Sequence, residues 1–266
     1  MSSRQPALLL LLLATGGGCS AETRVRLLDP IGDASSPMPS ASAGSVSHHL
    51  LHRYSFDGHG SSAVDSIGGA DGSLENGAAL DGAGHVVLDG SDDFVDLPNG
   101  LISGLGSATL VLWLSWNGGP CWQRAFDFGS TDAGEGAVGN ATTSLFATPL
   151  RCPGTGPATS FQTVASPLGS VDSDVPFPVL QNASLAVTLD AAKKEIRLYA
   201  EGKPLGVGSL PPLSELTDQN DWLGRSQWPQ DRALRGSLDE FRIYDVALDD
   251  AAISVLNGAG PDAASP

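Results

Sequence analysis

Two adjacent carboxylates near the C-terminus, Asp239 and Glu240, pose the first chemical question of this 266-residue chain. They interrupt the run Gly236–Leu248 (GSLDEFRIYDVAL), where Leu238, Phe241, Ile243 and Val246 are set against Asp239, Arg242 and Asp245. A period near two reads as a strand with one buried face. Successive side chains of a strand point to opposite faces, so one of the two acids turns inward and needs a cation or several hydrogen-bond donors. A second set of residues suits carbohydrate. Sugar rings stack on aromatic faces, and their hydroxyls pair with amides and carboxylates. Trp122, Trp222 and Trp228 lie in loop contexts with Gln123, Asn220, Gln227 and Gln230 nearby, and the tightest cluster is Arg225-Ser226-Gln227-Trp228 beside Asp231. Trp122, Gln227, Trp228 and Asp231 are therefore the ligand-contact candidates, with the plainer reading that each tryptophan plugs the core. His48, His49 and His52 have a spacing that could share zinc on a helix, but the segment runs into a strand pattern, which favours solvated imidazoles.

No familiar catalytic motif accompanies these groups. Gly-x-Ser-x-Gly, His-Glu-x-x-His and a phosphate-cradling glycine loop are all missing from the sequence, so no catalytic residue is assigned. Charged residues make up 17% of the chain, with Gly 33 and Pro 18, a balance that suits short strands and tight turns better than a helical bundle. At 41% hydrophobic, the chain can build a core. The net charge of −16 argues against nucleic acid and against an anionic membrane surface, which need clustered Lys and Arg. Surplus carboxylates serve solubility or gather round a divalent cation such as calcium.

The N-terminus reads as an export signal. Arg4 precedes the apolar run Ala7–Ala14 and then Thr15-Gly16-Gly17-Gly18-Cys19, a run too short to cross a bilayer but of the right length for a signal peptide over 1–19. Small residues ending in cysteine resemble the bacterial lipoprotein cleavage site, with Cys19 as the lipidated residue. Gly16 stands where that pattern has leucine, which keeps plain secretion as the alternative. Three cysteines are an odd number for an exported protein. If Cys19 carries lipid, Cys121 and Cys152 remain to form a disulfide, against the rival of a free reactive thiol. Residues 20–47 are rich in Ser, Pro and Ala and read as a tether that clears the membrane.

From His48 onward the pattern is of strands. They are expected at Leu50–Phe56, Gly84–Leu88, Asp93–Leu97, Thr109–Trp116, Asn182–Leu189 and Glu195–Ala200, with turns at Asp57-Gly58, Asp89–Asp92 and Glu201-Gly202. Trp113 is read as core. Asn117–Pro178 is read as loop-rich, and Asp249–Asn257 as a helix capped by Asp249. The closing run GSLDEFRIYDVAL, the hairpin-like VVLDGSDDFVDLP and the stretch SLAVTLDAAKKEIRLYAEGKPLG together resemble the laminin-G-like (concanavalin A-like) jelly-roll family. The resemblance covers about 48–258 as one domain, leaves 259–266 as a disordered tail, and implies an all-β, two-sheet antiparallel sandwich. It also implies a calcium ion near the closing-strand acid, carried over to Asp239 with Asp57 and Asp65, which would pin the first and last strands together. Asp239 has alternatives in backbone donors and in Arg53, Arg225 or Arg242. The function implied is non-catalytic recognition of a glycan, a cell-surface protein or another cell-envelope component through sandwich loops. The family's laminarinase-type hydrolases carry a Glu-x-Asp-x-x-Glu strand that this sequence lacks. A hydrolase or lyase with another acid pair and a purely structural envelope protein remain the alternatives.

Overall fold

A computed structural model describes residues 46–163 and 166–263. The signal segment 1–19, Cys19 and nearly all of the 20–47 tether lie outside the described residues. The described strands in chain order are β1 (Leu50–Tyr54), β2 (Ser62–Ala63), β3 (Gly72–Glu75), β4 (Ala79–Leu80), β5 (Val86–Asp89), β6 (Phe94–Leu97), β7 (Ala108–Trp116) and β8 (Phe126–Thr131), then β9 (Ala141–Thr148), β10 (Ala158–Thr163), β11 (Ser166–Asp172), β12 (Asn182–Asp190), β13 (Glu195–Ala200), β14 (Lys203–Ser209), β15 (Asn220–Leu223) and β16 (Arg235–Tyr244). Two eight-stranded sheets result. The first runs β14-β13-β12-β7-β16-β5-β4, with β1 also on β16; the second runs β11-β10-β9-β8-β15-β6-β3-β2. All the strand pairings are antiparallel. The architecture is the two-sheet sandwich that the sequence predicts.

The alternation of apolar residues explains the layers. Phe126, Phe128, Leu145, Phe161 and Leu223 from the second sheet meet Leu110, Leu112, Leu114, Leu185, Phe241 and Ile243 from the first in one buried core. The intervening residues of β7 are also apolar because the other face of the first sheet is covered too. Trp113 and Val111 pack there with Tyr199, Tyr244 and the Ala252, Ile253 and Leu256 stripe of helix α1 (Asp250–Ala259). Trp113 is thus core, under the helix rather than between the sheets. The Asp249 side chain accepts a hydrogen bond from Ala252 N–H at 2.8 Å, the cap expected at that helix start.

One expectation needs correction. The loop-rich reading of 117–178 is replaced by four strands, β8 to β11, whose Ser, Thr and Gly residues pair in the ladder while Phe126, Phe128, Leu145 and Phe161 fill the core. Of the segment expected as tail, Ala259 ends the helix and residues 261 and 263 are bonded to β16. The Arg242 guanidinium donates to the carbonyls of Pro261 and Ala263 at 2.6 and 2.7 Å and holds that segment down.

Candidate functional site

At the closing strand, a bulge resolves the paired acids. The register of β16 against β7 shifts between Leu238 and Glu240, an extra residue that re-aims the side chains around it. Glu240 is the acid that turns inward, and it is buried. Its carboxylate accepts from Arg53 Nε at 2.6 Å, from the second arm of Arg53 at 3.2 Å and from Arg242 Nε at 2.5 Å. Burial raises its proton affinity, and the two guanidiniums act against that. Arg53 and Arg242 therefore pair with Glu240, not with Asp239. Asp239 is half-buried and accepts from the Asn182 amide. Burial pushes its pKa up, and the nearby charge of Asp57 adds to the rise.

The calcium set Asp57, Asp65 and Asp239 does not assemble. Among the described residues, the one group of three metal-type side chains with ligand atoms within 4.8 Å of each other is Asp89, Asp92 and Asp93. Asp65 is filled by the protein itself. Its Oδ1 accepts the N–H groups of Arg53, Ile67 and Gly68 at 2.9, 3.1 and 3.0 Å. Its Oδ2 takes Ala70 N–H at 3.0 Å and the His52 imidazole at 2.7 Å. Burial alone would raise this pKa, but the donors outweigh it and hold it at about 2. Asp65 thus organises the 65–70 loop against β1. His52 is engaged there, and His49 pairs with Asp245 at 2.8 Å, so the two imidazoles turn to different carboxylates.

The carbohydrate candidates converge better. On the outer face of the second sheet, Trp222, Asp127, Phe146 and Ser160 form a cross-strand row over β15, β8, β9 and β10. Beside it a groove of about 250 Å³ is lined by Trp122, Arg124, Phe146, Gln162, Trp228, Gln230 and Asp231. Phe146 and Gln162 come from β9 and β10 as floor, Trp122 from the segment before β8, and Trp228 and Asp231 from the loop between β15 and β16. Trp122, Trp228 and Asp231 are thus brought together from positions far apart in sequence.

Buried polar groups fix the walls. Arg124 donates to Asp127 at 3.1 Å and to Asp231 at 2.7 Å, and its guanidinium lies 3.8 Å from the centroid of the Phe146 ring. Ser226 Oγ donates to Asp231 at 3.0 Å and accepts the Trp228 N–H at 3.1 Å, which locks the turn carrying the tryptophan. Asp127 is fully enclosed and also accepts from Ser144 Oγ at 2.5 Å and Gln227 N–H at 3.1 Å. Burial raises its pKa against the pull of Arg124. Trp122 has a left-handed backbone, φ 66°. Its N–H donates to Leu150 C=O at 2.8 Å and its carbonyl accepts from Arg124 at 2.9 Å. Such a conformation persists where the surroundings over-determine it. The Cys121–Cys152 disulfide closes beside it.

Gln227 is a correction. It does not line the groove; its amide is fully used behind it, donating to the carbonyls of Asp127 and Asn220 at 3.2 and 3.0 Å and accepting from Asn220 Nδ2 at 3.0 Å. It positions the tryptophan loop. Trp222 is buried, with Arg225 stacked 4.2 Å from its ring centroid. Sequence reasoning missed Arg124, Phe146 and Gln162. Arg124 is visible in sequence beside Trp122; Phe146 and Gln162 need strands β9 and β10, which the residue pattern does not announce.

A family profile described as the concanavalin A-like lectin/glucanases superfamily matches residues 89–254. Among solved structures, domain 4 of an extracellular GH43 arabinanase from Geobacillus stearothermophilus, in complex with arabinotriose, is 22% identical, with 78% of this chain and 97% of that chain covered at a TM-score of 0.63. A botulinum neurotoxin type C chain, whose cell entry depends on interaction with two ganglioside molecules, is 14% identical over 82% of this chain and 53% of its own, TM-score 0.59. Trypanosoma rangeli sialidase is 17% identical, TM-score 0.56, over 85% of this chain; the chain spans 36% of the sialidase. At these identities the likeness is one of fold. A search of curated proteins gave no match.

Proposed function

The chain belongs to the concanavalin A-like lectin/glucanases superfamily, and from that premise we propose that it is a non-catalytic glycan-binding module. The observation that carries the reading is the groove lined by Trp122, Trp228 and Phe146 with Gln162, Gln230 and the Arg124–Asp231 ion pair. Aromatic faces there take the apolar face of a sugar ring, and the amides and the carboxylate take its hydroxyls. That other proteins of this fold were solved with arabinotriose or depend on gangliosides supports a saccharide as the class of ligand. Asp127, bonded to the groove residue Arg124, is enclosed by Arg124, Ser144 and Gln227. An acid and a second carboxylate flanking a glycosidic bond must both reach the substrate, so this enclosure supports binding without turnover. The disulfide and the 1–19 pattern support an exported domain, tethered through a lipid on Cys19.

The test is a fluorescence and calorimetric screen of the full chain against neutral arabino-, xylo-, gluco- and galacto-oligosaccharides. At least one should bind saturably, and Trp122→Ala and Trp228→Ala should each weaken it by tenfold or more without loss of folding. A panel that fails throughout, or variants that bind as well as the parent, would refute the site. Release of new reducing ends during the incubation would refute the non-catalytic reading.

A further inference from the structure

We propose that the hollow between residues 117–120 and Arg232/Arg235 is a second binding site, for the carboxylate or sulfate group of an acidic saccharide. The hollow measures about 280 Å³ and its lining includes Asn117, Gly118, Gly119, Gln123, Arg232 and Arg235. It shares no lining residue with the tryptophan groove, so the proposal stands apart from the function argued above.

The arginines point to it. Among the described arginines, Arg53, Arg124, Arg151, Arg197 and Arg242 each pair with a carboxylate, and Arg225 stacks on Phe94 and Trp222. Arg232 and Arg235 are exposed at one hollow, and neither makes an ion pair among the described residues. Asp89 faces Arg235 across the β5–β16 ladder, yet its Oδ1 accepts Ser91 N–H at 2.6 Å, and the Asp89, Asp92 and Asp93 carboxylates pair with neither guanidinium.

The wall formed by residues 117–120 is fixed by one buried amide. Gln123, buried, donates its amide to the carbonyls of Gly118 and Pro120 at 3.4 and 3.0 Å, which draws those acceptors inward. Its carbonyl oxygen accepts Trp116 Nε1–H at 3.4 Å and Arg235 N–H at 2.9 Å, tying the wall to the strand that carries Arg235. The N–H groups of Gly118 and Gly119 have no acceptor among the described residues. Both glycines have positive φ, 72° and 126°, and a Cβ on Gly119 would come within 2.6 Å of the Gln123 amide nitrogen. Both amides lie in the lining of the hollow with no acceptor among the described residues, which leaves them free to donate to a ligand there. Two planar guanidiniums beside them suit a carboxylate or sulfate held by paired N–H bonds.

The test uses the full chain labelled with ¹⁵N at arginine and tryptophan, with Arg232→Gln and Arg235→Gln assigning the guanidinium resonances. The probes are a glucuronate disaccharide, a sulfated disaccharide, the neutral parent of each, and sodium sulfate. The expected result is a saturable shift of both guanidinium Nε resonances with a charged disaccharide, weakened at least tenfold by either substitution and by raising salt from low to molar ionic strength. The tighter of the two charged probes names the group. Shifts of equal size from the neutral parents, or binding unchanged in Arg232→Gln and Arg235→Gln, would overturn the site, and sodium sulfate binding as tightly as the sulfated sugar would overturn its assignment to a saccharide. Indole signals in the same spectra report the tryptophan groove separately, so failure at one place is distinguishable from failure at the other.

Discussion

Replacing Asp65 with asparagine separates two readings of one carboxylate, as organiser of a loop or as ligand of a metal. Five donors converge on it, three on Oδ1 and two on Oδ2. In Asp65→Asn the amide oxygen can keep the three bonds from Arg53, Ile67 and Gly68, while its –NH₂ then confronts the Ala70 N–H and the His52 ring. Hydrogen bonds to a charged group contribute about 1.5–3 kcal/mol each, and an orphaned buried donor costs about as much. Losing two gives about 3–6 kcal/mol of destabilisation. For a domain of this size that lowers Tm by roughly 6–24 °C, at about 2–4 °C per kcal/mol. The assay is urea unfolding of parent and variant at neutral pH, with and without calcium. Because the folded carboxyl titrates at about 2, below its ordinary 3.8, its contribution is complete above the unfolded value and fades as pH falls through the folded one. The gap between parent and variant should therefore narrow in strong acid. A loss under about 1 kcal/mol, or a calcium-dependent gain in the parent that Asp65→Asn abolishes, would refute the loop-organising account and restore the metal.

Three further outcomes follow from the same geometry. Glu240→Gln leaves two guanidiniums with a neutral partner and should cost about 3–5 kcal/mol in urea unfolding; a loss below about 1 kcal/mol would mean that the pair contributes little. Asp221 is enclosed in the core with its pKa pushed well up by burial and by the charge of Asp218, and its Oδ1 has no partner among the described residues. A raised folded pKa favours the folded state at low pH and loses that advantage as pH rises through it. The parent should thus gain Tm relative to Asp221→Asn as pH falls, and Asp221→Asn should be the more stable of the two at alkaline pH, with a flatter profile; a gap that does not change with pH, or a variant destabilised at alkaline pH, counts against this. Opening the Cys121–Cys152 bridge, which spans 31 residues, should cost about 3–4 kcal/mol by loop entropy, read as the difference in unfolding between parent and Cys121→Ser/Cys152→Ser; no difference would count against the bridge.

What the sequence discloses and what it hides has a physical cause. β1, β7, β12, β13 and β16 were legible because β-branched, aromatic and leucine side chains alternate or run on there, as packed strands require. Strands β8 to β11 are hidden, since a strand such as Ala141–Thr148 (ATTSLFAT) spends half its positions on Ser and Thr, which blur the apolar alternation. That same concealment removed Phe146 and Gln162 from view, so only one wall of the groove, Trp228 with Asp231, formed a local cluster. The Asp239-Glu240 pair showed that one acid must turn inward. It did not show which, because the choice is made by a bulge, a matter of register against β7. Gln227 was readable as a polar residue beside a tryptophan, while its burial depends on Asn220 and Asp127 arriving from β15 and β8.

The central claim is that Trp122 and Trp228 form one saccharide-contacting groove. It is tested most directly by following the five tryptophan indole resonances while the neutral oligosaccharide panel is added. Shared, saturable shifts of Trp122 and Trp228, with Trp113, Trp116 and Trp222 unmoved in their buried places, are the result predicted here. Binding that moves other indoles and leaves those two still, or no binding by any member of the panel, would contradict it.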